Sequence, residues 1–147
     1  MFKSTAINIT SEGHKHLGAV IGSQEYQKEY VDENVSEWVS EIAQLAEFAA
    51  TEPLACYSPY KFGLKHRWTH FLRTIPDAQD LIEPLESAIS NVLIPALTGC
   101  KCNQLERDVS SLPARFGGLG LRNPLIEAPR EYKKSVGTTQ CTARRTN

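Results

Sequence analysis

The apolar positions of this chain change their period once, near Ser23. Before it, β-branched and aliphatic residues gather in two short runs, AINIT (6–10) and KHLGAVIG (15–22), on either side of SEGH. Two such runs around a Gly-containing segment predict a β-hairpin joined through SEGH. An isolated hairpin is marginal in water, so this one needs a sheet partner or a helix against it. After Ser23 the spacing turns helical: Tyr30, Val31, Val35, Trp38, Ile42, Leu45 and Ala49 recur at three- and four-residue steps. Ser23 suits the N-cap, and Glu25 and Glu29 fall in the early turns, where the helix dipole favours negative charge. This helix ends before Pro53, because a residue preceding proline is pushed out of the α region.

Pro53 fits the first turn of a second helix running towards Thr74, with a kink or break predicted at Pro59 and Gly63. A third helix follows Pro76, with Leu81, Leu85, Ile89, Val92 and Leu93 as its apolar stripe and Gly99 as its stop. Asn103 caps a short helix, NQLERDVSSL. In PARFGGLGLRNP, the glycines Gly117, Gly118 and Gly120 point to a turn or a close backbone approach. Asn123 and Pro124 read as the cap and first residue of a last helix. The polar, aperiodic tail from 136 to 147 is expected to be disordered. The fold class is therefore mainly α: a short N-terminal β-hairpin (1–22) followed by a helical bundle (23–135).

Composition narrows the function classes. With 41% hydrophobic and 22% charged residues, the chain belongs among globular proteins, not disordered ones. A net charge of -1 removes any chain-wide electrostatic case for a polyanionic partner, so such a case must rest on a local patch. No apolar run approaches the roughly 20 residues that span a bilayer, and the start lacks a signal-peptide core, so no membrane partner and an intracellular setting are expected. Cys100 and Cys102 form a C-x-C pair too tight for a zinc knuckle, and free thiols are expected. The GGLG stretch lacks both dinucleotide and P-loop spacing, and SSLPARFGG lacks a nucleophile elbow. Nothing assembles a catalytic site.

The local patch exists in YKFGLKHRWTHFLRTIP (60–76). On a helical wheel Leu64, Trp68, Phe71, Leu72 and Ile75 share one side, so the two aromatic rings belong to the core. His66, His70 and Arg73 share the other side, with Lys65 and Arg67 on the flanks. No Asp or Glu occurs between Pro53 and Pro76. A solvated basic face is the commoner meaning of such a pattern, and a phosphate-backbone grip is its functional counterpart.

Three segments, ITSEGHKHLGAVIGSQEY, then YKFGLKHRWTHFLRTIPDAQDLIEPLESAISNVLIPALTG, then ERDVSSLPARFGGLGLRNPLIEA, keep their order along residues 3–135. Together they resemble the C-terminal part of reverse transcriptases encoded by animal retroelements, of the non-long-terminal-repeat kind. The resemblance implies that the hairpin is a primer grip, occupied here by His16, Leu17 and Gly18. It implies that the helices after it form a thumb holding a template–primer duplex, RNA–DNA or RNA, by its backbone. Lys61, Lys65, His66, Arg67, His70 and Arg73 are the binding residues expected on that basis, and residues 112–128 resemble the stretch closing the polymerase region.

The departures carry equal weight. The family's catalytic magnesium ions need an aspartate in motif A and an Asp-Asp box, and no adjacent Asp-Asp occurs in this chain. Two-metal phosphoryl transfer cannot be assembled from these residues, so the chain is expected to be a catalytically incomplete, truncated piece without a cofactor of its own. Without palm strands, Ile7, Ile9, Leu17 and Val20 are expected to stay partly exposed and to promote association through the hairpin. The alternative is a non-enzymatic helical module that docks on a protein partner.

Overall fold

A two-stranded antiparallel hairpin, β1 (Gly13–His16) and β2 (Ala19–Gly22), leads into helices; the computed structural model describes residues 12–16 and 19–145. The register pairs Gly13 with Gly22 and His16 with Ala19. Gly13 and His14 are therefore strand residues and SEGH does not join the strands, contrary to the expectation from sequence. The glycines serve close approach instead. A Cβ on Gly13 would stand 2.2 Å from the Tyr26 ring, and one on Gly22 would stand 2.5 Å from the Glu12 carbonyl oxygen. The expected strand at 6–10, with Ile7 and Ile9, lies outside the described residues, as do Leu17 and Gly18.

Val20 is only 6% exposed and joins the helical core, which corrects the expectation that it stays uncovered. The hairpin lies on the first helix, α1 (Gln24–Ala49), which supplies the partner a lone hairpin lacks. Lys15, opposite Val20, stands 4.6 Å from the Tyr30 ring centre and pairs with Glu33 of α1. Ile21, on the other face of the hairpin, is 71% exposed.

Ser23 caps α1 as its sequence position suggests, its hydroxyl accepting from the Tyr26 amide at 3.2 Å. Val31, Val35, Trp38, Ile42, Ala46 and Ala49 form the buried stripe. The second helical stretch is continuous but irregular: α2 (Pro53–Pro59), a π-helical turn (Tyr60–Leu64) and α3 (Lys65–Leu72). Pro59 removes an amide and Gly63 lowers helix propensity, so the wider turn falls where the α ladder is weakest. Trp38 of α1 meets Phe71 edge-on at 5.2 Å and Trp68 at 6.1 Å, while Tyr60 stands 5.9 Å from Trp68. Each such ring contact contributes about 0.5–1.5 kcal/mol beyond its area burial.

A 3₁₀ turn (Asp80–Ile82), α4 (Glu83–Ala88), a second π-helical turn (Ile89–Leu93) and α5 (Ile94–Thr98) follow. The buried residues are Ile82, Leu85, Glu86, Ala88, Ile89, Leu93 and Ile94, whereas Val92 is 42% exposed and Leu81 half-buried. The even helical period breaks at these irregular turns, which rotates Leu81 and Val92 off the stripe. Gly99 ends α5 in the left-handed region at φ 74°, as expected of a C-terminal glycine.

Asn103 and Glu106 form a reciprocal capping box at the start of α6 (Gln104–Ser111), both bonds at 2.9 Å. In the loop beyond, Gly118 has no room for a side chain, since a Cβ would stand 2.1 Å from the Leu112 carbonyl oxygen. Asn123 accepts from the Leu125 amide at 2.8 Å and opens α7 (Pro124–Arg145). That helix runs through most of the segment expected to be disordered. Thr138 and Thr139 donate to the carbonyls of Lys134 and Ser135, so the polar side chains bond along the helix, and residues 136–140 are all exposed. Among the described residues no helix is long and apolar enough to cross a membrane.

Candidate nucleic-acid interface

The two sides of α3 follow its sequence pattern. Trp68, Phe71, Leu72 and Ile75 are buried, and His66, Arg67, His70 and Arg73 are exposed. Lys65 is half-buried on the flank. Lys61, in the π-helical turn, lies 5.1 Å from the Tyr57 ring centre and 5.6 Å from that of Phe62. His16 contributes a strand residue paired with Ala19, far along the chain from this face.

What the sequence does not show is where the acids come from. Arg67 donates to Glu41 and, at 3.0 Å, to Glu37, both on α1. These bonds raise the guanidinium pKa, and locally two carboxylates outnumber one cation. Arg73 donates to Glu131 of α7 at 2.8 Å, and Lys134 donates to the other oxygen of that carboxylate at 2.7 Å. The hydrogen bonds from Lys134 and Arg73 hold the Glu131 carboxyl below the usual carboxylate range, against the effect of its burial. The acid-free run 53–76 is thus acid-free in sequence and not in space.

Lys65 differs from both arginines. Among the described residues it has no carboxylate partner. Burial, then the neighbouring Arg122, push its ammonium below the ordinary lysine value, Glu127 opposing and Lys61 adding to the shift. It lines a cleft of about 240 Å³ between α3 and α7, with His66, Thr69, Arg73, Arg122, Glu127 and Glu131. Two further clefts adjoin it through shared residues: Arg122 and Glu127 lead to Arg130, and Arg73 leads to Lys134. The junction of α3 and α7 therefore carries Lys65, Arg73, Arg122, Arg130 and Lys134 against Glu127 and Glu131, a local cationic excess on a chain of net charge -1.

Arg122, Arg130 and Lys134 are not distinguished by the sequence pattern. Arg130 and Lys134 do stand four residues apart on one helix face, but nothing local says that this face meets α3. The cations here are exposed, the side chains of Arg73, Arg122 and Lys134 being 51%, 58% and 65% accessible, but those of their partners Glu131 and Glu127 are only 6% and 19% accessible. A buried carboxylate needs its cation, so these cations keep their carboxylates and offer their remaining N–H donors to an anion.

A second charged group is built in the opposite manner. Arg107 of α6 is 3% exposed and grips Glu86 of α4 with two parallel bonds, 2.6 and 2.7 Å, while a third reaches the Leu121 carbonyl at 2.5 Å. All three guanidinium nitrogens donate, which makes it a structural clamp between α4, α6 and the glycine loop. Burial, first of all, drives the adjacent Tyr60 phenol far up from its ordinary value. Among the described residues no group of three His, Cys, Asp or Glu is placed to hold a metal ion. Cys56, Cys100 and Cys102 are free thiols, and the buried Cys56 donates to the Leu45 carbonyl at 3.1 Å.

The chain matches no family model, no curated protein and no solved structure.

Proposed function

We propose that this chain binds the sugar–phosphate backbone of a nucleic-acid duplex along the α3–α7 junction, as the resemblance to the thumb of a reverse transcriptase implies. The observation that supports it is the band of cations drawn from two helices and the loop before α7, with Lys65 at its centre and without a carboxylate partner among the described residues. Phosphate contacts of this kind position a duplex without reading its sequence. Lys61, Lys65, His66, Arg73, Arg122, Arg130 and Lys134 form the grip. Arg67, held by Glu37 and Glu41, serves the packing of α3 on α1 instead. His70 is exposed on the same helix.

Polymerisation is outside what these residues do, because no Asp-Asp pair occurs among them. The test is binding of the purified chain to an RNA–DNA hybrid at two salt concentrations. Affinity that falls with salt and is indifferent to sequence is expected; salt-independent binding, or none, contradicts the proposal.

A second reading, a protein-docking module, has one observation of its own. α6 turns Leu105 (73% exposed) and Val109 (44% exposed) to solvent, next to an apolar cleft lined by Ile94, Cys100 and Cys102.

A further inference from the structure

The cleft around Lys65 has a shape that plain backbone gripping does not require. A phosphodiester inside a duplex stands on a convex surface and continues into sugar on both sides. An exposed ridge of lysines suffices for it. Here Lys65, without a carboxylate partner among the described residues, is half-buried and lines a cleft of about 240 Å³. That is below the roughly 300–1,000 Å³ of sites for drug-sized molecules, and the volume suits one compact group.

The lining is polar and its charges are uneven. Glu127 is bonded to Arg122 at 2.7 Å, and Glu131 is bonded to both Arg73 and Lys134. Both carboxylates are thus held by partners at the cleft wall, while Lys65 has none among the described residues. Placing Lys65 beside Arg122 with its charge partly desolvated is unfavourable, and the lowered ammonium pKa reports that. An anion entering the cleft relieves it. His66 stands at the same wall as a further donor.

We propose that this cleft is a receptor for a terminal phosphate monoester, held by Lys65 and Arg122 with His66 and Thr69 beside them. A terminal phosphate has one sugar attachment rather than two, so it can enter a cleft that a continuing strand cannot. Resting on the duplex-binding proposal, the occupant is the phosphorylated 5′ end of a bound strand.

The test uses the full chain, isotope-labelled, and three probes: a hybrid duplex with a 5′-phosphate, its 5′-hydroxyl twin, and inorganic phosphate alone. The phosphorylated duplex should bind about tenfold tighter than its twin, the worth of one charge-assisted contact. Inorganic phosphate should shift the Lys65 and Arg122 resonances in the same direction, more weakly. Lys65→Gln should abolish the preference for the phosphorylated end, and Lys65→Arg should keep it. Should Lys65→Gln not fold, Arg122→Gln, at an exposed side chain, reads the same loss. Equal affinity for the two duplexes overturns the receptor and leaves the duplex grip standing. Phosphate shifts at Lys65 without duplex binding uphold the receptor and overturn the grip. Tighter binding of a phosphoserine peptide than of the phosphorylated duplex overturns the assignment to a strand end.

Discussion

α3 and α6 are eight-residue helices that bury opposite kinds of side chain. α3 turns Trp68, Phe71 and Leu72 inward and its arginine outward, while α6 turns Arg107 inward and leaves Leu105 and Val109 in solvent. The difference comes from what each helix faces. α3 lies on the aromatic residues of α1, where only apolar surface is stable. α6 lies over Glu86, a carboxylate on the buried side of α4, and a buried carboxylate needs a matched cation. The role of an arginine is thus decided by its neighbours in space. Arg107 locks the fold, Arg67 braces α3 against α1, and Arg73 sits at the rim of a cleft, bonded to the buried carboxylate of Glu131.

The strongest way to break this comparison is to remove each inward group. Arg107→Ala leaves Glu86 buried and unpaired and should cost about 3–5 kcal/mol. Trp68→Ala opens a cavity among Trp38, Tyr60 and Phe71 and should also cost about 3–5 kcal/mol. Chemical denaturation measures both. The two then separate on rescue: replacing Glu86 and Arg107 together by Leu and Met should recover most of the stability, as buried ion pairs often tolerate apolar replacement. A double variant no more stable than Arg107→Ala would contradict the clamp.

Acid sharpens the comparison on the α3 side. The folded-state pKa of Glu131 is lowered, so its contribution is present above the unfolded value of about 4.3 and is lost as pH falls through the folded value. The α3–α7 junction should therefore loosen in acid, seen as a fall in denaturation midpoint below about pH 4.3. Glu131→Gln should flatten that fall, and an acid limb unchanged in this variant would contradict the pairing with Arg73 and Lys134.

Smallest is the effect of Arg67→Ala. Its pairs with Glu37 and Glu41 are half-exposed, so the loss should stay below about 1 kcal/mol by the same denaturation. A loss as large as that of Arg107→Ala would erase the distinction between the two arginines.

Much of this was legible along the chain, because caps and stripes are local. Ser23, Asn103 and Asn123 mark helix starts through side chains that bond amides two or three residues on. Pro59 and Gly63 mark the irregular turn, and the apolar side of α3 follows from spacing alone. The clamp had one legible sign: Glu86 falls four residues after Ile82 and three before Ile89, on the buried stripe. Its partner had none, since Arg107 is one more cation on a polar helix until α6 is placed. The same limit hid the acids of α1 and α7 that face α3, Arg122 in the cleft, and Arg130 and Lys134 in the clefts beside it. The turn at Gly13 was misplaced because a glycine needed for close approach and one needed for a turn look alike in sequence.

The central claim is that the α3–α7 junction, and not basic residues at large, grips a phosphate backbone. Its most direct measurement is the slope of log affinity against log salt for an RNA–DNA hybrid, in the parent chain and in two variants. Replacing Lys65, Arg122 and Arg130 by Ala should reduce the slope by about 0.7–0.9 for each phosphate contact removed. Replacing Arg67 should leave it unchanged, because that cation already faces two carboxylates. A triple variant that binds with the parent's affinity and slope, or an Arg67 variant that loses as much, would contradict the account.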